Sequence, residues 1–582
     1  MRSIVVALTL GMLAPGVLWA WPGDLDPTFG SHGKVLYPAP YQPDVSAFAG
    51  ALEPDDRIDV AGTTQSGVVF LARFATDGTL DPTFGTGGTV TTGFSGIGRA
   101  LVRQPDGRLI TTIGNFGVAR FNSDGTLDTT FGTGGSAIAS FGGAADAFGL
   151  ALQPDGGIVE VGTADTGSSS DFAVARYDQN GNPDVTFGVG GKVTTDFGLD
   201  DRAVSVIVEP DGHLAVAGQR GSLFALARYD SAGTLDPSFV SGGMVTTGIC
   251  CSPKALVRQP DGRLVVAGDA VDFVLARFAT DGTLDSAFGT AGVVQTDFRV
   301  EQINPTRAGA RSLLLQPDGD LVAVGYYNSG NYVVFNEQFA LARYDSAGRL
   351  DPTFTPCGVV LTPFRSIEAL GSDDTAEAAL LTSDGKIVAI GHSCDVNGCR
   401  IAVARYGGPP TAGCSPAASG RASLRLVNIH GGVDYRDVLH FRWLGSVDRT
   451  DFGDPVTGSD FHLCLVDKGG VRPFRMMETI PGGQLLPPGA GGPGWRATST
   501  RYDYRNKYRI PEGISPMNLV PASNGQGHVG VHGKGQYLLP PPLPLSTPVI
   551  VRVKRSDGPQ CWEATFSSPR VSTPDKFQAS SD

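Results

Sequence analysis

The stretch Phe224–Phe239 reads FALARYDSAGTLDPSF, and close copies of it recur along residues 23–408 of the 582-residue chain. Each copy joins an apolar run that ends in A-R-F or A-R-Y to a turn and then to an L-D step. These steps open seven repeats, 47 to 66 residues apart, which begin at Leu25, Leu80, Leu127, Pro183, Leu235, Leu284 and Leu350. Repeats of this length indicate stacked supersecondary units.

The order of runs inside a repeat is constant. A G-G-x-V run comes first (Gly190–Val193), followed by an apolar run that ends in a turn (Leu256–Gly262), a short apolar run (Arg263–Gly268) and a final run such as Phe273–Phe278. The Pro and Gly residues lie where tight turns need them, and the flanking runs are apolar and rich in β-branched residues. Four strands in each of seven repeats predict an all-β protein with a seven-bladed β-propeller.

A solenoid is the alternative architecture. It would need capping units, whereas the first and last repeats carry the same motifs as the middle ones. The sequence leaves open which strand closes the ring.

Three elements carry a family resemblance: LDPTFGTGG (residues 80–88), QPDGRLVVAG (259–268) and FALARYDSAGTLD (224–236). They resemble the delta-60 repeat, a β-propeller repeat of large exported bacterial proteins. The resemblance implies the fold and little about activity, because that family has no general assigned activity.

The period stops after Gly408. Residues 409–420 form a linker rich in Pro, Gly, Ser and Ala, and residues 421–582 contain short apolar or alternating runs between turns. This pattern predicts a β-sandwich. The runs LHFRWLG, DFHLCLVD and CWEATFSS resemble a C-terminal module found after varied exported bacterial domains.

The N-terminus and the charge distribution bear on location and partners. Residues 1–20 read as a secretory signal peptide, so we expect a secreted, periplasmic or extracellular protein without membrane insertion. Lys and Arg number 26 against 44 Asp and Glu before residue 409, and 19 against 14 after it. An acidic repeat region should repel nucleic acid. We expect a monomer whose partner is a protein or glycan surface.

Export favours disulfides among the eight cysteines. Cys394 and Cys399 flank a turn sequence and could bridge a hairpin, and Cys464 and Cys561 lie in strand-like runs that we pair as a second bridge. The sequence gives no pairing for the other four cysteines, which are Cys250, Cys251, Cys357 and Cys414.

Two residues recur in nearly every repeat: the Asp of the L-D step (Asp81, Asp236, Asp351) and the Arg of A-R-F/Y (Arg73, Arg228, Arg343). A calcium loop needs more oxygen ligands than this segment supplies, so we expect the Asp to form a turn or cap and we predict no cofactor, with calcium as the alternative. Equal copies of the Arg favour a structural ion pair or stacking.

Aromatic residues supply the candidate binding surfaces. An insertion in the sixth repeat offers Tyr326, Tyr327, Asn331 and Tyr332, and insertions in repeat proteins map to surface loops. The C-terminal region offers Trp495, Tyr502 and Tyr504 as a platform for sugar or peptide stacking, against the alternative that they fill a core.

No catalytic or metal site is predicted. His528 and His532 share one strand face, but two ligands are too few for a structural metal. We therefore expect a non-catalytic binding protein. The alternative is a propeller enzyme of the lyase or lactonase type with a metal in the channel, which the separate phases of His32, His213 and His392 disfavour.

Overall fold

The computed structural model shows an all-β protein. It describes residues 23–37, 44–167, 169–250, 252–296, 298, 307–328, 337–351, 354–355, 358–364, 373–395, 398–407, 415–417, 419–427, 438–453, 455–456, 461–467, 474–480, 494–505, 514–523, 526–534, 545, 547–555, 561–573 and 576–582. The proposed signal peptide lies outside these residues. Among the described residues, no helix is long and apolar enough to cross a membrane.

Strands of four to nine residues dominate the repeat region. In chain order they are β1 (Lys34–Tyr37), β2 (Val45–Leu52), β3 (Ile58–Thr64), β4 (Val68–Phe74), β5 (Thr89–Ser95), β6 (Leu101–Arg103), β7 (Leu109–Ile113), β8 (Gly117–Phe121), β9 (Ser136–Ile138), β10 (Ala145–Leu152), β11 (Ile158–Asp165), β12 (Ser170–Tyr177), β13 (Lys192–Thr195), β14 (Asp201–Val208), β15 (Leu214–Arg220), β16 (Leu223–Tyr229), β17 (Met244–Cys250), β18 (Ser252–Arg258), β19 (Leu264–Asp269), β20 (Phe273–Phe278), β21 (Val293–Thr296), β22 (Arg307–Leu315), β23 (Leu321–Asn328), β24 (Glu337–Tyr344), β25 (Val359–Thr362), β26 (Asp373–Leu381), β27 (Ile387–Asp395) and β28 (Gly398–Tyr406). One helical turn, α1 (Val240–Gly243), precedes β17. The exceptions to this length range are β6 and β9, with three residues each.

These strands form four-stranded antiparallel sheet units. Units 1 to 6 contain β2–β5, β6–β9, β10–β13, β14–β17, β18–β21 and β22–β25, and unit 7 contains β26–β28 with β1. Units 5 and 6 are joined into one sheet by a single pairing between β19 and β22.

The sheet units are offset from the sequence repeats by one strand. The G-G-x-V run that opens a repeat is the last strand of the preceding sheet: β13, for example, pairs with β12. At the end of the repeat region, β1 pairs with β28, from Lys34 opposite Ala404 to Tyr37 opposite Ile401. An N-terminal strand thus completes the sheet built by the last three strands.

The first strands of the units contact one another in sequence. Each of β2, β6, β10, β14, β18, β22 and β26 contacts the first strands of its two neighbours, and β26 contacts β2. The middle strands are nearly continuous apolar runs, such as the buried Leu264–Gly268 of β19. Such runs suit strands that are covered on both faces. The apolar clusters accordingly draw residues from adjacent units.

The C-terminal region contains two further sheets. Its strands are β29 (Ser415–Pro416), β30 (Ala422–Val427), β31 (Val438–Gly445), β32 (Phe461–Asp467), β33 (Phe474–Ile480), β34 (Gly494–Ala497), β35 (Tyr502–Arg505), β36 (Ile514–Ser523), β37 (Gln526–Lys534), β38 (Val549–Arg555), β39 (Cys561–Phe566), β40 (Val571–Thr573) and β41 (Lys576–Ser580), with a 3-10 turn at Arg449–Phe452. One sheet has the order β29-β39-β38-β32-β33 and the other β34-β35-β36-β37-β31-β30-β41-β40. A single apolar cluster contains residues of both sheets, including Phe441 and Val551.

Candidate functional site

The recurring Asp and Arg residues form a joint between sheet units. Asp128 Oδ1 accepts hydrogen bonds from the backbone N–H and the hydroxyl of Thr130, at 3.1 and 2.6 Å. Its Oδ2 accepts from Arg120 Nε at 2.8 Å. Arg120 also donates to the carbonyl of Gln179 in the next repeat and lies over the ring of Phe131, 4.5 Å from its centroid. All these groups are thus held by structural contacts.

The joint recurs with small variations. The Arg–Asp pairs are Arg120–Asp128, Arg176–Asp184, Arg228–Asp236, Arg277–Asp285, Arg343–Asp351 and Arg405–Asp26. Arg73 is the exception, because it pairs with Asp59 and Glu53 while Arg57 takes Asp81. Burial raises the pKa of Asp59 to about 7 although Arg73 opposes the shift.

The five aromatic binding candidates that the structure describes are buried. Tyr326 and Tyr327 belong to β23 and are 8 % and 2 % exposed, so they are not loop residues. Trp495, Tyr502 and Tyr504 are 0 %, 7 % and 3 % exposed and belong to the C-terminal apolar cluster. The stacking platform is therefore wrong, because these rings fill the core between two sheets. The remaining candidates, Asn331 and Tyr332, lie outside the described residues.

One of the two predicted disulfides is present, and the other is incompatible with the sheet order. Cys394 and Cys399 form a disulfide across the β27–β28 hairpin, where they face each other in register. Cys464 and Cys561 are both disulfide-bonded, but β38 lies between their strands β32 and β39. Strands separated by a third lie about 9.6 Å apart, beyond the Cα–Cα reach of a disulfide. Our pairing of these two cysteines is thus incompatible with the sheet order.

Some of the described histidines lie close to another possible metal ligand. His532 on β37 faces His440 on β31, with 3.1 Å between their Nδ1 atoms, and burial lowers the pKa of both rings. In the repeat region, His392 lies close to Asp373 and Cys394. The Cys394 sulfur is committed to a disulfide, so this group offers two ligands at most.

A different set of residues converges from the sheet units. The first strand of units 1 and 3 to 7 contains a β-bulge, at which one extra residue lies opposite the second strand. A bulge re-aims its side chain and is common beside functional sites. Each bulged residue lies five positions before the first residue of the following turn, and Arg99 holds that position in unit 2. We call these seven residues the bulge ring: Phe48, Arg99, Phe148, Val204, Lys254, Arg311 and Glu377.

Cations occupy one arc of the bulge ring. Arg99 and Arg202, which lies two residues before Val204, both contact the ring of Phe148, each 4.9 Å from its centroid. Arg311 pairs with Asp269 at 3.3 Å and with Glu377 at 3.9 Å. Lys254 lies between these groups.

Charged residues from several sheet units act on the pKa of Lys254. Burial lowers the pKa of Lys254, and the positive charges of Arg311 and Arg202 lower it further, while Asp269 and Glu377 oppose the shift. No ion pair within the described residues involves Arg99, Arg202 or Lys254. The two acids that act on Lys254, Asp269 and Glu377, are both paired with Arg311, so the other three cations can accept an anion.

The positions of the bulge ring have a recognisable pattern in the sequence. Its seven positions hold five different residue types, whereas the positions on either side are occupied by Gly, Ala, Ser or Pro. A large residue that varies between repeats, lies between small residues and precedes a turn by five positions indicates a side chain that the repeated structure does not require. The bulge itself could not be predicted, because an extra residue disguises the period of the strand.

Comparisons with known proteins support a propeller scaffold. Residues 53–84, 104–131, 153–187, 209–239, 259–288 and 316–354 match the model of a family described as a β-propeller domain of unknown function, DUF5122. Among curated proteins, none matches the chain.

Solved structures share low similarity with the chain. A protein of unknown function from Bacteroides caccae is 12 % identical over 53 % of this chain and 92 % of its own, with a TM-score of 0.31. The WD40 β-propeller domain of Doa1 is 13 % identical over 50 % and 93 %, with a TM-score of 0.28. BamB from Moraxella catarrhalis is 11 % identical over 62 % and 83 %, with a TM-score of 0.30. These scores are too low to carry an argument. The six matched segments show that the repeat region is similar to a β-propeller family of unknown function.

Proposed function

We propose that the protein is an exported, non-catalytic binding protein that holds an anionic ligand at the bulge ring of a closed seven-bladed propeller. The ligand group is a carboxylate or phosphate presented by a glycan or protein surface. The three cations that have no ion pair with an acid among the described residues, Arg99, Arg202 and Lys254, carry this proposal. They stand out because residues 1–408 as a whole are strongly acidic.

The contacts between units support a closed ring over residues 21–408. The first strands contact one another in an unbroken succession from β2 to β26 and back to β2. The joint between the last and first repeats has the same contacts as the interior joints: Arg405 pairs with Asp26 and stacks on Phe29. An open solenoid would leave this last joint without a partner.

The remaining parts of the proposal rest on the sequence and on one contact. Residues 1–20 act as a signal peptide, residues 409–420 as a linker and residues 421–582 as a β-sandwich. The Cys394–Cys399 disulfide suits an oxidising compartment outside the cytoplasm. Lys554 of β38 is buried and pairs with Asp24, which is a contact between the C-terminal part and the start of the repeats. We propose that the protein acts as a monomer.

The chemistry of the arc favours anions over other ligands. Guanidinium groups offer planar pairs of N–H donors that match carboxylate and phosphate oxygens, and the flanking Phe148 holds two of them in place. Burial around Lys254 reduces screening by solvent. An anion that reaches this lysine would relieve the repulsion from Arg311 and Arg202.

Calorimetric titration of the full chain with citrate, pyrophosphate and a uronate oligosaccharide tests the proposal. We expect saturable binding of at least one probe, weakened about tenfold or more by Arg202→Gln, which corresponds to about 1.4 kcal/mol. Arg263→Gln is the matched control, because Arg263 is an exposed cation on a turn that pairs with Asp261. No binding of any probe, or equal losses in both variants, would overturn the anion site.

A further inference from the structure

Three carboxylates meet where unit 3 packs against unit 4. Asp171 lies in β12, Asp196 follows β13, and Asp201 opens β14. Each offers an oxygen that lies within 4.8 Å of the oxygens offered by the other two. Asp171 and Asp201 are buried and Asp196 is exposed, so the group opens to solvent on one side.

Asp201 points to a ligand, because one of its oxygens is unsatisfied. Asp201 is only 1 % exposed. Oδ2 accepts the backbone N–H of Phe197 at 2.7 Å, whereas the buried Oδ1 accepts no hydrogen bond from the described residues. A buried carboxylate oxygen without a partner is costly.

The surrounding groups do not neutralise the cluster. Asp171 accepts hydrogen bonds from the hydroxyls of Thr166 at 2.7 Å and Ser169 at 2.9 Å, and Asp196 accepts from the backbone of Gly198. The positive charge of Arg220 acts on Asp201, but its Nε donates a hydrogen bond to the Phe197 carbonyl. Burial raises the pKa of Asp201 to about 6, and the charges of Asp196 and Asp171 add to the rise.

The equivalent place between units 6 and 7 lacks two of the three acids, although the buried Oδ1 of Asp374 there has no hydrogen bond from the described residues either. There Asp374 accepts the backbone N–H of Phe364 at 2.9 Å, just as Asp201 accepts that of Phe197. The positions that correspond to Asp171 and Asp196 are Gln338 and Pro363. Capping the phenylalanine thus needs one acid, and the two additional acids have no counterpart in this joint.

We propose that Asp171, Asp196 and Asp201 bind one divalent cation of the calcium type. Ca²⁺ prefers oxygen ligands at 2.3–2.6 Å, so two ligand oxygens on opposite sides of it are up to about 5 Å apart. Carboxylate spacing within 4.8 Å meets this requirement. An all-oxygen, all-carboxylate set favours a hard cation over Zn²⁺. The site is independent of the anion site and of the recurring L-D aspartates, whose oxygens cap turns.

The test is a calorimetric titration of the EDTA-treated full chain with Ca²⁺ and separately with Zn²⁺. We expect one Ca²⁺ per chain, in the micromolar to millimolar range, and a higher melting temperature with the metal. Asp196→Asn should weaken Ca²⁺ binding about tenfold or more, and this variant should fold because Asp196 is exposed. The matched control is Asp200→Asn, which removes a neighbouring charge bonded to the Ser170 backbone N–H. It should change the affinity about threefold at most.

The absence of saturable Ca²⁺ binding at about 10 mM would overturn the site. Equal affinity in Asp196→Asn and the wild type would do so too, as would tighter binding of Zn²⁺ than of Ca²⁺.

Discussion

At the residue scale, the joint arginines of the repeat region are held in ion pairs and against aromatic rings. Each joint Arg meets a carboxylate, and all but Arg228 lie about 5 Å or less from the centroid of a Phe ring. Arg228 is farther from Phe239, at 6.0 Å, and reaches Glu209 and Asp211 as well. Removing one partner of a buried pair leaves an uncompensated charge, which costs far more than the pair contributes.

Arg277→Leu should therefore lower the free energy of unfolding by about 3 kcal/mol, as measured by urea denaturation. Arg263→Leu is the matched control, because Arg263 contacts the same Asp285 at 3.0 Å but has an exposed side chain. We expect it to cost less than about 1 kcal/mol. Similar losses in the two variants would show that the joint does not depend on the buried arginine.

Glu160 gives the chain a pH-dependent stability. Burial raises the pKa of Glu160 to about 8, and its Oε2 accepts the hydroxyl of Tyr177 at 3.0 Å. The folded state keeps a proton that the unfolded state releases near pH 4.5, so this residue's contribution to stability falls as the pH rises from about 4.5 to 8.

In the Glu160→Gln variant, this loss of stability with rising pH should be absent. The variant should gain on the wild type by up to about 1.4 kcal/mol for each pH unit in that window, measured by urea denaturation at pH 5, 6 and 7.5. A difference between the two proteins that stays constant with pH would contradict the buried, protonated state.

At the element scale, the bulged first strand links fold to function. Repeated structure demands small residues on either side of the bulge and leaves the bulged position free to vary. The strands, their turns and the joint residues could be predicted, since each has a local signature repeated along the chain. The one-strand offset could not, because pairing of β1 with β28 joins residues that are distant in sequence.

In the C-terminal region, the strands could be predicted from the sequence, but the packing of the two sheets could not. Apolar and alternating runs indicated strands, but burial of Trp495 and Tyr504 depends on how two sheets pack. Amphipathic rings have the same pattern at a surface as in a core. The pairing of Cys464 failed for a related reason, because strand order in the sheet is not written in the local sequence.

The β27–β28 hairpin contains the Cys394–Cys399 bridge. The bridge closes a short loop, so it restricts the unfolded chain less than a long one would. Replacing both cysteines with serine should lower the free energy of unfolding by roughly 2 kcal/mol, as measured by urea denaturation. No difference in the free energy of unfolding between the oxidised wild type and the variant would contradict this account.

At the scale of the whole molecule, closure distinguishes a propeller from a solenoid. In a solenoid each unit contacts only its neighbours along the chain, so terminal joints fray and matter little. In a ring the joint between the last and first units is equivalent to the others. The Arg405 joint matches the Arg277 joint in its ion pair and in its ring contact, both 4.6 Å from a Phe centroid.

Arg405→Leu should consequently destabilise the protein as much as Arg277→Leu, by about 3 kcal/mol. Urea denaturation of the two variants side by side gives the comparison. A negligible effect of Arg405→Leu beside a large effect of Arg277→Leu would indicate an open array of units.

The negative net charge of the whole molecule affects which anions can bind. An acidic body repels anions in general, so a local group of cations selects those that can reach the first strands. Titration of wild-type, Lys254→Arg and Lys254→Met protein with the anionic probe that binds the wild type most tightly tests this claim most directly. The account predicts that Lys254→Arg retains binding while Lys254→Met weakens it about tenfold or more at unchanged melting temperature. Wild-type affinity in Lys254→Met would contradict it.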